Sequence, residues 1–139
     1  MAIYRAMPTS FKVELLQGVH DLTTDTLKLA LYTNMASLGA GTTAYTTDGE
    51  VSGTGYTAGG KTVTGVVVTY TGTTAYMDCA NVTWDAVTFT TRGALLYNSS
   101  KANRAVAVLS FGSDVTLDGN NFTVVMPEAN ASDALVRVT

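Results

Sequence analysis

Few residues in this chain are equipped for chemistry. There is one histidine, His20, and one cysteine, Cys79. A Cys–His pair needs the base within hydrogen-bond reach of the thiol and a third group to orient it. His20 sits in "GVHDL", between a helical and a strand pattern, where a solvated or turn-capping role accounts for it. Cys79 sits in the alternating run "TAYMDCA", where a thiol behaves as a small buried hydrophobe. No Cys/His cluster has zinc spacing. Asp78 and Asp85 flank the region of Trp84 and could face one another across a glycosidase cleft. Eleven acids in a β-rich chain also supply such pairs as separate surface or turn carboxylates. "SDVTLDGNN" is rich in oxygen ligands but lacks the alternating spacing and terminal Glu of a calcium loop. A hairpin turn at Asp118, Gly119 and Asn120 explains it. No metal and no cofactor is expected.

One stretch imitates a phosphate loop. Residues 50–60, "EVSGTGYTAGG", hold four glycines in eleven positions ahead of Lys61. A phosphate cradle needs a helix directly behind it, so that backbone N–H groups and the helix dipole face the anion. Behind Gly60 comes "KTVTGVVVTYT" instead, β-branched and alternating. The stretch therefore reads as an ordered structural crossing. Its glycines supply positive φ angles and Tyr56 is an aromatic pin.

The elements that hold these residues are mostly strands. Residues 8–18 form the one credible helix: Thr9 or Ser10 can cap it, Phe11, Leu15 and Leu16 share a face, and Gly18 stops it. "DTLKLALYT" alternates as a half-buried strand, with Leu27, Leu29 and Leu31 on one side. Residues 34–60 are a long polar connection. Residues 61–71 then meet 74–80 across a two-residue turn at Gly72-Thr73. "NVTW" and "AVTFTTRGALLYN" come next, with Gly93 marking a bulge or close backbone approach. Residues 104–112 are apolar on both faces and so central. Asp118-Gly119 turns the chain into "NNFTVVMP", Pro127 ends that strand, and residues 133–139 close the sequence. Seven or eight strands with one short helix and no βαβ alternation give an all-β sandwich of jelly-roll or Greek-key type, one domain over residues 1–139.

Composition narrows the function. Threonine accounts for 24 of 139 residues, and charged residues for only 14%, well below the usual quarter. A β-branched side chain with a polar tip suits the outer face of a strand. So sparse a charge also suits a surface partly covered by neighbours. The net charge of −3 and the scattered Lys and Arg argue against nucleic acid or an anionic membrane as partner. The lone cysteine excludes an intrachain disulfide, in keeping with a reducing cytoplasm. "MAIYRAMPTSF" lacks the pattern of a signal peptide. Four Asn-x-Ser/Thr sequons, at Asn81, Asn98, Asn121 and Asn130, then read as turn chemistry. Trp84 and the seven tyrosines could form a sugar platform, but a lone Trp on a strand is more often a core or interface anchor.

Four segments carry a resemblance to a known family: "DTLKLALYTNMASLG", "YTTDGEVSGTGYTAGGKTVTG", "WDAVTFTTRGALLYNSSKANRAVAVLSFG" and "NNFTVVMPEANASDALVRV". Together they resemble small virion structural proteins of tailed bacteriophages, over about residues 11–138. The 50–60 loop and residues 92–98 are the most specific parts. The resemblance implies a place in the particle and brings no catalytic residues. The expectation is a non-enzymatic capsid decoration (cement) protein, made in the bacterial cytoplasm and carried on the virion. Its partners would be the major capsid protein and copies of itself, as dimer or trimer. A head fibre or tail accessory touching host glycans, or a carbohydrate-binding module, is the alternative. Expected interface residues are Ile3, Tyr4 and Met7 on residues 1–7, with Glu50, Tyr56 and Trp84. Residues 1–7 are either an interaction arm or a packed edge strand.

Overall fold

The computed structural model describes residues 2–139, and Met1 of the expected arm lies outside them. The chain begins with helix α1 (Thr9–Leu16), followed by strands β1 (Leu27–Tyr32), β2 (Lys61–Thr62), β3 (Val67–Thr71) and β4 (Thr74–Asp78). Two long strands, β5 (Val82–Asn98) and β6 (Arg104–Val124), and a short β7 (Val136–Val138) complete it. They form two antiparallel sheets, ordered β2-β1-β5-β6 and β3-β4-β7. The result is the all-β, sandwich-like fold of seven strands that the alternating pattern predicts.

The β5–β6 hairpin is the frame. Its strands pair from Val82↔Val124 to Asn98↔Arg104. β5 joins "NVTW" to the next run, because Ala86 takes a positive φ of 50° and the chain bulges there instead of turning. The expected hairpin turn at Asp118-Gly119 is likewise a bulge inside β6. Val87 faces Asn120 and Thr88 faces Asp118, leaving Gly119 (φ 72°) as the extra residue. A two-residue turn and a glycine bulge both demand a left-handed residue, so the dipeptide alone does not separate them. Gly93 behaves as expected. A side chain there would meet the Leu109 carbonyl at 2.6 Å and Ile3 Cγ2 at 2.8 Å.

Both faces of the larger sheet are covered at β1, so five of its six residues are buried and only Lys28 is half-buried. Leu27, Leu29 and Leu31 enter the main core with Phe11, Met77, Trp84, Leu96 and Val136. Ala30 and Tyr32 enter a second cluster on the other face with Ile3, Leu38, Leu95, Tyr97 and Val108. That second cluster exists because the N-terminal stretch and the 34–46 connection fold across the sheet. Tyr4 N–H donates to the Leu38 carbonyl, and Ala6 and Val108 exchange both backbone hydrogen bonds. Of the two readings left open for residues 1–7, the described residues 2–7 follow the packed one.

The helix differs in detail. Pro8 occupies the N-cap with φ −56° and ψ 143° and no side chain caps the helix, so neither Thr9 nor Ser10 does so. The Ser10 hydroxyl donates instead to the Thr42 carbonyl. Gly18 (φ 70°) ends the helix, as its position predicts. Phe11 is buried, whereas Leu16 is 91% exposed and leaves the shared apolar face. The run 61–71 is broken into β2 and β3 with Gly65 (φ 63°) between them, and the β3–β4 turn falls at Gly72-Thr73 as expected. The sequon asparagines serve turns and bulges: Asn81, Asn121 and Asn130 each accept a backbone N–H through their side-chain carbonyl.

Candidate functional site

The glycine-rich loop is built around one carboxylate. β1 is hydrogen-bonded on its outer edge at two separate places: Val63 N–H donates to Leu27 O, and Val51 N–H to Leu31 O. Between them the ladder has a gap, and residues 52–60 arch over it. The Tyr56 hydroxyl fills the gap by accepting the Leu31 N–H at 3.0 Å. It then donates to Glu50 Oε2 at 2.5 Å. The Glu50 carboxylate also accepts the Tyr45 hydroxyl (2.6 Å) and the Gly59 N–H (2.8 Å). Tyr97, stacked on Tyr45 at 4.8 Å, donates to the Gly59 carbonyl. Burial, reinforced by the charge on Glu50, pushes the Tyr45, Tyr56 and Tyr97 hydroxyls above the ordinary tyrosine range and keeps them donors. Gly55 and Gly59 have φ of 87° and 97°, and Gly60 passes so close to β1 that a Cβ would lie 1.8 Å from Leu29 O. With every polar group in this set satisfied from within the chain, the loop works as an internal brace.

His20 is also structural, and here the solvated reading is corrected. Its side chain is fully buried, tilted against Phe11 at 4.9 Å. Asn98 Nδ2 donates to Nδ1 at 2.9 Å, which leaves Nε2–H to donate to Glu14 at 2.9 Å. Arg104 holds the other Glu14 oxygen at 2.6 Å. Burial raises the Glu14 carboxyl, but the Arg104 and His20 hydrogen bonds outweigh it and its pKa is lowered. Asn98 passes on to Asp25 (2.7 Å), which Lys101 also grips (2.9 Å). Asp25 ends at about 2, because hydrogen bonds from Asn98, the Asp21 N–H and Lys101 overcome its burial. This network ties α1 to the tip of the long hairpin. The sequence hint was the clustering of Asn98, Lys101 and Arg104 in one turn, with no signal that His20 would meet them.

The remaining candidates separate. Asp78, 3% exposed on β4, accepts the Cys79 N–H through Oδ1, while Oδ2 has no partner among the described residues. Burial pushes its pKa up. Asp85 is exposed beside the β5 bulge, on the other sheet, so the two carboxylates do not frame a shared cleft. Burial lifts the Cys79 thiol to about 12, which leaves it unreactive. Trp84 is 1% exposed, between Tyr56 and Phe122 with Lys61 Nζ 5.6 Å from its ring. It offers neither a sugar platform nor a contact to a neighbour, correcting its place among the interface residues. Ile3 is buried in the second cluster and Tyr56 is taken up in the brace, so neither is free for an interface. Tyr4 is 69% exposed, and Met7 lies half-buried in a groove.

That groove is the surface feature sequence reading missed. Three adjoining hollows of 420, 430 and 360 Å³ run from α1 past β7 and along β6. Met7, Arg137 and Thr139 are shared by the first two, Arg5 and Leu109 by the last two. The exposed apolar residues Leu16, Val138 and Val125 line it. Arg5, Lys12 and Arg137 stand along it, and none is paired with a carboxylate among the described residues. These cations come from three separate parts of the chain, which is why no basic stripe shows in the sequence.

No family model matches the chain, and no curated protein or solved structure gives a significant match.

Proposed function

We propose that the chain is a non-enzymatic structural protein of a phage virion, most specifically a capsid decoration protein that binds the outer head shell and associates with copies of itself. The observation that carries the binding role is the apolar groove edged by Arg5, Lys12 and Arg137. The chain's net charge is −3, yet these three cations have no carboxylate partner among the described residues and stand beside exposed Leu16, Val125 and Val138. Such a surface suits an acidic, partly apolar protein segment. Its apolar lining suits a polypeptide better than a sugar or a phosphate backbone. The placement on a phage head rests on the family resemblance of the four sequence segments. The glycan-binding alternative loses its main support with Trp84 in the core.

Copy number tests the placement. Gel densitometry of purified particles should give a simple ratio to the major capsid protein. A count of about six to twelve, the number expected of closed tail rings, moves the protein to the tail. Binding to stripped shells should weaken with salt and with the triple change Arg5→Glu, Lys12→Glu, Arg137→Glu. Unchanged binding in a folded triple variant would remove the groove from the account.

A further inference from the structure

Strand β3 is exposed along its whole length, Val67 through Thr71, and contributes no residue to either core cluster. It is hydrogen-bonded only to β4 and forms an open edge of its sheet. Its β-branched and aromatic residues favour strand pairing, and the usual protections of an edge are missing. From residue 62 to residue 77 there is no Lys, Arg, Asp, Glu or Pro. Its sheet is small, three strands of which the third, β7, spans only three residues, and a further strand would extend it.

We infer that β3 is the self-association edge of this protein, pairing antiparallel with β3 of a second copy about a two-fold axis at Thr69. Two features of the strand select a second copy as the occupant. The first is charge: each chain carries −3, and this uncharged edge lets two copies meet without setting like charges face to face. The second is register. A two-fold axis at Thr69 sets Val68 opposite Tyr70 twice on one face, and Val67 opposite Thr71 twice on the other. Aromatic against β-branched is among the favourable cross-strand pairs, so the strand is its own complement, as an isologous contact requires. The two sheets would join as β7-β4-β3-β3-β4-β7. This deepens the self-association part of the proposed function and rests on that part alone, because a monomer could still decorate a shell.

Analytical ultracentrifugation of the purified full chain tests it without particles. At about 100 μM the mass should be twice 14.5 kDa. Val68→Lys with Tyr70→Lys sets like charges opposite one another at both pairs and should weaken the dimer at least about tenfold, with an unchanged circular dichroism spectrum. Val68→Lys with Tyr70→Glu sets opposite charges there and should restore dimer, which a different register would not predict. A wild-type chain that stays monomeric overturns the inference. So does a dimer that survives the double Lys change. Loss of the dimer with shell binding retained would confirm the edge and leave the shell role standing.

Discussion

The 50–60 loop and the β3–β4 hairpin invert the usual relation between composition and order. The loop is glycine-rich and polar, yet hydrogen bonds of 2.5–3.0 Å hold it to β1, to Tyr45 and Tyr97, and to itself. The hairpin is built of strand-forming Val, Thr and Tyr, yet β3 lies outside the core. Apolar content alone therefore did not decide which segment became internal. The loop was drawn in because β1 had an unfilled backbone donor and Tyr56 could reach it, and a buried unpaired N–H is costly. Only β4 is tied in, through β7 and Met77, whereas β3 has no such tie and its apolar side chains remain available to a partner.

Glycine substitutions test this contrast most harshly. Gly60→Val should cost on the order of 4 kcal/mol or prevent folding, since it adds a β-branched side chain at φ 77° against the Leu29 carbonyl. Gly72, at the hairpin turn, has φ 61° but nothing within 4 Å of a Cβ, so Gly72→Ala should cost only about 1 kcal/mol in urea denaturation. Equal losses would erase the distinction. Next in size, Glu50→Ala should cost about 2–4 kcal/mol by leaving two tyrosine hydroxyls and the Gly59 N–H without their acceptor. Tyr56→Ala should likewise lower stability before it affects assembly, correcting the expectation of an interface aromatic.

pH separates the brace from the rest of the fold. The tyrosines of the brace hold their protons more tightly folded than unfolded. Their contribution is complete below about pH 10 and declines as pH rises beyond it. The urea midpoint should hold up to about pH 10 and fall as pH rises above it, less steeply in Tyr56→Phe. Asp25, in neither region, has the opposite sign. Its pKa drops from 3.8 to about 2 on folding, so its stabilisation is present above pH 4 and lost as pH falls through 2. We expect a loss of about 1–2 kcal/mol over that interval, flattened in Asp25→Asn. The smallest effect belongs to β3: Val67→Thr should change monomer stability by less than about 0.5 kcal/mol.

The sequence made some elements plain and hid others for physical reasons. Alternation at Leu27, Leu29 and Leu31, the Gly72-Thr73 turn, and positive φ at Gly55 and Gly59 were readable because each is a local requirement. The helix start departs from Thr9 and Ser10 because Pro8 already supplies an extended residue without an N–H to satisfy. The Asp118-Gly119 bulge passed for a turn because both need the same backbone angle. His20, Trp84 and the cation-edged groove could not be placed, since their surroundings come from segments far apart in sequence. For Tyr56 the pinning role was legible, but not its partner Glu50, which only the closed crossing brings within reach.

The long β5–β6 hairpin has a consequence for how the chain reaches this state. Only residues 99–103 separate its strands, so its first contacts close a very short loop, and such hairpins form within microseconds. β1, the N-terminal stretch that bridges to Leu38 and Val108, and β7 must instead be recruited from far along the chain, a slower search. Assembly should therefore proceed outward from the turn beside Asn98 and Arg104, with the two chain ends docking last. Native-state hydrogen exchange would record that order in reverse. Amides of Leu95 and Val106 should exchange only through global opening, while those of Tyr4 and Val138 exchange through local fraying.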